Sequence, residues 1–104
     1  MKLYHATDYQ NKKSIEDNGL FPTDCGNART NMPTLQGRGY YGVYGFISLE
    51  DAIEFGRDNN YETVVYEFEV DADSVIDDPE YDGNAKFYST DCPVEARVVY
   101  YMYE

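Results

Sequence analysis

The sequence predicts an α+β fold, organised as one compact domain over residues 1–104. Two segments carry apolar residues at helical spacing, whereas the second half contains strand-like runs rich in valine and tyrosine. Hydrophobic residues make up 42% of the chain and aromatic residues 16%, which supplies enough apolar surface for a folded core despite the acidic composition. A chain of this length is expected to form a single core.

The first predicted element is an apolar strand that carries the only histidine of the chain. Residues 3–7 have strand composition, and they deliver His5 into the connection that follows. The next segment is helical, with Ile15 and Leu20 as apolar anchors. Asn18-Gly19 is a stop signal, because glycine readily adopts the left-handed conformation that ends many helices.

Residues 21–41 are predicted to form a long loop that is rich in turn-forming and polar residues. Its prolines and glycines are Pro22, Gly26, Pro33, Gly37 and Gly39. Loops of this length inside compact domains are usually functional. We therefore expect this segment to contribute to a binding site.

A short strand at residues 42–47 and a second helix follow the loop. Ser48 is the predicted N-cap of the helix, and Asp51 three residues later resembles the acidic partner of a capping box. The helix is expected to end near Arg57. Its apolar stripe, which assigns Phe55 to the core, consists of Leu49, Ala52, Ile53 and Phe55.

The second half of the chain is rich in predicted strands. Over residues 63–70, apolar residues at even positions alternate with Val65, Glu67 and Glu69, a period of two that indicates a strand with one solvated face. Further predictions are a short strand at 74–77, a turn at 79–83, a loop through residue 91 and a last strand at 95–103.

The acidic charge of the chain is concentrated in its C-terminal half. Residues 1–57 carry six Lys or Arg against seven Asp or Glu, a net charge of −1, whereas residues 58–104 carry two against thirteen, a net charge of −11. This distribution indicates either a solvated surface that keeps the protein soluble or a surface for a basic protein partner. Direct nucleic-acid binding is not expected, because the electrostatic term has the wrong sign.

Neither a metal site nor a membrane segment is expected from the residue pattern. Cys25 and Cys92 lie far apart without the spacing of zinc ligands. Both are expected to be free thiols in a reducing cytosol, unless the fold brings them together. Because no run of about 18 apolar residues and no secretory signal is present, we expect a soluble cytoplasmic protein.

Four motifs in the first 57 residues resemble the NAD-binding core of the ADP-ribosyltransferase superfamily, which includes poly(ADP-ribose) polymerases and many bacterial and phage toxins. These motifs are Tyr4-His5-Ala6-Thr7, Asn18-Gly19-Leu20, Gly42-Val43-Tyr44 and Ser48-Leu49-Glu50-Asp51-Ala52. The polymerase-like branch has a His-Gly-Ser/Thr element, a Gly-x-Gly-Ile-Tyr element and a late glutamate at the start of a strand. The resemblance implies split antiparallel sheets with two short helices, and NAD as the substrate.

The resemblance also implies a role for individual residues. His5 would hydrogen-bond the adenosine-side ribose, the backbone of Ala6 would pair with the nicotinamide amide, and Thr7 would add a hydroxyl contact. Tyr44 would stack on the nicotinamide ring. Glu95 would be the catalytic carboxylate, because cleavage of the nicotinamide–ribose bond passes through an oxocarbenium-like state that a nearby carboxylate stabilises.

Two of these roles have competing residues within the sequence. The alternative carboxylates are Glu62 and Glu67. The alternative tyrosines for the stacking role are Tyr40 and Tyr41, which precede Tyr44 in a chain of twelve tyrosines. The motif alone does not choose among them.

The remaining implied contacts involve a serine and several basic residues. Ser48 is most simply a helix cap, although a serine near this point in the family also approaches nicotinamide. The pyrophosphate of NAD requires positively charged partners. Arg29 and Arg38 in the long loop are the candidates, and Lys2 or Arg57 would be the nearest others.

Three functions follow as hypotheses. The first is a small NAD-dependent ADP-ribosyltransferase that modifies a host or partner macromolecule, as a phage or mobile-element effector would. The second is a catalytically inactive protein of the same fold, whose acidic surface binds and inhibits a basic, nucleic-acid-binding protein. The third is an α+β module without an NAD site. NAD cleavage that depends on His5 and Glu95 would distinguish the first from the others.

Overall fold

The computed structural model of the protein describes residues 1–21, 23–24, 41–77, 84–90 and 92–103, and these residues form an antiparallel sheet flanked by two helices. The strands are β1 (Lys2–Asp8), β2 (Thr23–Asp24), β3 (Tyr41–Phe46), β4 (Thr63–Glu69), β5 (Val75–Asp77), β6 (Ala85–Ser89) and β7 (Arg97–Tyr101). The helices are α1 (Lys12–Asn18) and α2 (Leu49–Asp58), and short 3-10 turns occupy Tyr9–Asn11 and Ala72–Ser74. The predicted α+β class is confirmed.

The sheet is continuous but nearly divided in its centre. Its strand order is β5-β6-β3-β1-β4-β7, with β2 added beside β3. β1 pairs with β4 along its whole length, whereas its registered pairing with β3 consists of Tyr4 opposite Phe46. The split sheets that the resemblance implied are therefore one hydrogen-bonded sheet, joined at this junction by a single residue pair.

The two faces of the sheet are covered by different helices. One core cluster, on the α1 face, contains Leu3, Ile15, Leu20, Val43, Val64, Tyr66, Phe68 and Val70. The other, beneath α2, contains Ala6, Phe46, Ala52, Val65 and Ala85. The period of two in β4 is confirmed, but the face predicted to be solvated is covered where α2 packs on Val65. Glu67 is half-buried on the same face, and Glu69 is exposed.

Both helix boundaries that the sequence predicted are confirmed by their capping geometry. α1 ends at Gly19, which has a φ of +83° and donates its N–H to Ile15 O at 2.8 Å. A side chain there is also excluded by space, because a Cβ would lie 2.7 Å from Val94 O. At the start of α2, Ser48 Oγ accepts a hydrogen bond of 3.1 Å from the backbone N–H of Asp51.

The sequence prediction was wrong in two parts of the second half. Residues 84–90 were predicted as loop, but they contain β6, whose buried Ala85 and Phe87 alternate with half-buried Lys86 and Tyr88. Phe87 and Tyr88 favour a strand, but the other three residues of this short segment do not, and it follows a run rich in Asp and Gly that indicates a turn. The last strand is shorter than predicted, since the chain turns after Tyr101. Within the described ranges, no helix is long and apolar enough to cross a membrane.

Candidate functional site

His5 occupies the point at which β1 and β3 diverge. It follows Tyr4, the β1 residue paired with β3, and its Nδ1 lies 2.9 Å from the carbonyl oxygen of Tyr44. Because a carbonyl oxygen can only accept, Nδ1 carries a proton, and Nε2 of the neutral ring is then an acceptor. The side chain thus spans the gap between the strands where their registered pairing has ended.

The ring of Tyr44 belongs to an aromatic cluster around this gap. Its centroid lies 4.8 Å from the ring of His5, 5.9 Å from Phe55 and 6.5 Å from Phe46. The tilted and edge-to-face angles of these pairs are the arrangements that aromatic quadrupoles favour. Phe55 packs against the core beneath α2, as its helical spacing predicted. Packing on several sides therefore fixes the orientation of the Tyr44 ring beside His5.

A pocket of about 270 Å³ opens beside His5. It is lined by His5, Thr7, Asn11, Ser14, Ile15, Leu20, Phe21, Gly42, Val43 and Tyr44. Apolar side chains form much of the wall, and imidazole, hydroxyl and amide groups supply the polar contacts. Ligand pockets usually measure roughly 300–1,000 Å³, so this one suits a single substituted ring rather than a whole dinucleotide.

The structure brings three of the predicted site residues together in this pocket. His5, Thr7 and Tyr44 all line it, and the strand register explains the grouping, since β1 and β3 run past each other at this point. Ala6 lies between His5 and Thr7 on β1, with its side chain buried in the cluster beneath α2. Ser48 is the cap of α2 and is not among the described residues that line the pocket.

Glu95 lies in a different part of the molecule. It is exposed and borders a surface groove together with Glu67, Glu69 and Arg97. Arg97 forms an ion pair of 3.1 Å with Glu67, an alternative catalytic carboxylate, and Lys2 lies 3.8 Å from the same oxygen. The Glu67 carboxylate is therefore flanked by a cation from each neighbouring strand, Lys2 from β1 and Arg97 from β7.

The other alternative carboxylate, Glu62, is exposed immediately before β4. Its backbone N–H donates to Asp8 Oδ1 at 2.8 Å, which ties it to the end of β1. Among the described residues that line the His5 pocket, none is a carboxylate. The described lining can therefore bind and orient a ligand. It offers no carboxylate for general acid–base chemistry.

Several predicted residues lie outside the described residues. These are Arg29, Arg38, Gly39, Tyr40 and Cys25. Cys92 is exposed and is a free thiol. Within the described ranges, no group of three or more His, Cys, Asp or Glu could hold a metal ion.

The sequence analysis missed three residues that line the pocket, namely Asn11, Ser14 and Phe21, and it named Ile15 and Leu20 only as apolar anchors or as part of a motif. Asn11 and Ser14 lie three residues apart, so helical spacing relates them to each other, but it does not relate either of them to Thr7 on β1. The position of Leu20 depends on a reciprocal backbone bridge to Val94, with hydrogen bonds of 2.8 and 2.9 Å. No local sequence pattern predicts a contact between two residues that lie so far apart in the chain.

Comparison with known proteins finds no matching family model, no matching curated protein and no matching solved structure. Function is therefore inferred from the chemistry of the pocket residues.

Proposed function

We propose that the protein is an ADP-ribosyltransferase-like domain that binds NAD and uses it to modify a partner macromolecule. The observation that carries the proposal is the divergence of β1 and β3, where His5 and Tyr44 meet beside a pocket of about 270 Å³. In this proposal the nicotinamide end of NAD occupies the pocket. The rest of the dinucleotide extends outward, since the described pocket has room for one ring.

The chemistry of the pocket wall supports a nicotinamide ring. Ile15, Leu20 and Val43 are buried side chains that present apolar surface to a planar ligand. The nicotinamide of NAD is cationic, and an aromatic face such as that of Tyr44 favours a cation as well as a stacked ring. The imidazole of His5 is a polar group in the pocket wall that can hydrogen-bond a ribose hydroxyl.

The transfer step rests on different support from the binding step. Cleavage of the nicotinamide–ribose bond needs a carboxylate near the ribose, and the sequence motif assigns this role to Glu95. Glu95 borders the groove beside Arg97 rather than the His5 pocket. Binding of NAD is therefore supported by geometry, whereas its transfer is supported by the motif resemblance.

The decisive experiment separates binding from cleavage. NAD titrated into the purified protein by NMR reports binding, and labelled NAD with a cell lysate reports nicotinamide release and label transfer. We expect His5→Ala to weaken NAD binding about tenfold, since it removes the bridging group and its hydrogen bonds. Glu95→Gln should abolish label transfer with binding intact, while Glu69→Gln, an exposed carboxylate beside the same groove, should change neither.

The outcomes are distinguishable. Label transfer that is lost in both variants supports the transferase. NAD binding without cleavage contradicts the transfer step alone, and unchanged cleavage in Glu95→Gln contradicts the role of that residue. A wild-type protein that binds no NAD contradicts the whole proposal.

A second candidate is an inactive protein of the same fold that binds a basic protein. Two observations favour it: the net charge of −11 over residues 58–104, and the lack of a carboxylate among the described residues that line the pocket. Its exposed carboxylates include Glu69, Asp71 and Asp73. In this case partner binding should weaken with rising salt and with neutralisation of those three residues, and should survive His5→Ala.

A further inference from the structure

Thr7 and Asn11 form a polar pair on the wall of the pocket. Thr7 lies near the end of β1 and is 7% exposed, and Asn11 ends the 3-10 turn that follows the strand. The side-chain Nδ2 of Asn11 donates to Thr7 Oγ1 at 2.9 Å. Asn11 occupies the N-cap position of α1 but makes no capping hydrogen bond with its side chain. Its side chain is therefore committed to the threonine rather than to the helix.

This hydrogen bond determines which way the Thr7 hydroxyl points. A hydroxyl has one proton and two acceptor lone pairs, and Asn11 uses one of the lone pairs. The proton must then point away from the Asn11 amide. Within the described ranges, Thr7 Oγ1 donates to no protein acceptor. A buried donor gains most from a partner when it would otherwise have none, so an acceptor on a ligand in the pocket would be favoured.

The charge of the lining restricts the ligand further. The described residues that line the pocket include no lysine and no arginine, so none of them would offer a countercharge to an anionic group. A neutral acceptor, such as a carbonyl oxygen, meets the hydroxyl proton and needs no countercharge. The apolar wall formed by Ile15, Leu20 and Val43 suits a planar ring.

We propose that Asn11 is a positioning residue that fixes the Thr7 hydroxyl as a donor into the pocket, so that the pocket selects an aromatic ring bearing a neutral carbonyl acceptor, as in an aryl carboxamide. This inference rests on the proposed function, because it assigns the ring-binding role to the same pocket. It adds a direction to the contact: Thr7 donates, and the ligand accepts.

A reversal of that direction is the sharpest test. Asn11→Asp is nearly isosteric, but a carboxylate only accepts, so the Thr7 proton turns toward residue 11 and a lone pair faces the pocket. Acetophenone carries a carbonyl acceptor and no N–H or O–H donor, whereas aniline is a ring of similar size that mainly donates. We expect the wild type to prefer acetophenone over aniline about fivefold or more in NMR titrations, and Asn11→Asp to lose or invert that preference.

Three controls separate orientation from other effects. Gln10→Glu adds the same charge at an exposed neighbouring residue outside the pocket lining, and it should keep the wild-type preference. Thr7→Ser retains the hydroxyl and should keep the preference, whereas Thr7→Val should bind both probes with similar affinity. Circular dichroism and thermal unfolding of each variant check that the fold is intact.

The results separate this inference from the proposed function. Unchanged preference for acetophenone in folded Asn11→Asp, or no binding of acetophenone to the wild type, would overturn the role of Asn11. If the preference follows the variants while NAD fails to bind, the orientation of Thr7 stands and the NAD proposal fails. If NAD binds equally to the wild type and Asn11→Asp and the probes show no preference, the NAD proposal stands and the proposed orientation of Thr7 fails.

Discussion

β1 has a neighbour on each side, and it pairs with the two very differently. Toward β4 the register is unbroken from Lys2 opposite Glu69 to Asp8 opposite Thr63, whereas toward β3 it consists of Tyr4 opposite Phe46. One strand therefore has a closed edge and an open edge. Pairing with β4 holds β1 in place along its whole length. The β1 backbone can therefore leave its hydrogen-bonded pairing with β3, and the His5 side chain bridges the two strands instead.

The two edges also differ in the residues that form them. β4 contributes Val64, Val65 and Tyr66, which are fully buried because both faces of the strand are covered. β3 contributes Gly45, which lacks a side chain where the strand approaches Leu3 of β1. Large apolar residues thus supply stability on one side, while a glycine permits close contact on the other. Stability and binding should respond to different substitutions.

The largest expected effect lies at the closed edge. Phe68→Ala removes a buried ring that packs with Leu3 in the α1-face cluster, and it should lower the free energy of unfolding by about 3–5 kcal/mol. Phe21→Ala removes a ring that is 53% exposed at the pocket, so it should change the free energy of unfolding by about 0.5 kcal/mol or less. Urea unfolding measures both values. Equal losses in the two variants would contradict the division of roles between the edges.

A smaller loss is expected where the open edge begins. A Cβ added to Gly45 would lie 2.8 Å from the Cβ of Leu3 and 2.9 Å from Cε1 of Phe68. Gly45→Ala should therefore force β3 away from the core and lower the free energy of unfolding by about 1–3 kcal/mol. Ile47→Ala, at an exposed residue just beyond β3, is the matched control and should have little effect. If Gly45→Ala kept the free energy of unfolding of the wild type, β3 could move away from β1 at this junction without a loss of stability.

The parts of the fold that the sequence predicted correctly depend on local chemistry. Gly19 ends α1 because of its own backbone conformation, and Ser48 caps α2 through a neighbour three residues away. His5 and Tyr44 lie on strands that the sequence identified, but their meeting in one pocket depends on how those strands are placed in the sheet. Short-range patterns were sufficient for the two helix boundaries.

The parts that the sequence did not predict depend on pairing between distant segments. β6 is short, with two strand-favouring residues, Phe87 and Tyr88, and it is held by its pairing with β3 on one side and β5 on the other. The position of Leu20 depends on its bridge to Val94. For Glu95, the motif gave a place in the sequence, but the pairing of β7 with the outer side of β4 determines which groove it borders. Such pairings are set by the whole fold.

The smallest effect concerns Tyr66, which faces His5 across the closed edge. Its hydroxyl donates to Lys12 O at 3.4 Å, and burial raises the pKa of this phenol; Glu16 raises it further and Lys12 opposes the shift. Because the folded state favours the neutral phenol, its contribution to stability is complete below the unfolded pKa of about 10 and is lost as the pH rises through the higher folded pKa. The free energy of unfolding should thus fall less steeply above about pH 10 in Tyr66→Phe than in the wild type.

Urea unfolding at a series of pH values tests this expectation. Tyr103→Phe is the matched control, since that side chain is 63% exposed and its loss should leave the wild-type slope in place. A slope that is the same in wild type and Tyr66→Phe would mean that water reaches the phenol in the folded state, because a solvated phenolate would carry no penalty there. The β1–β4 edge would then admit more water than its continuous register indicates. The two edges of β1 would differ in strand pairing alone.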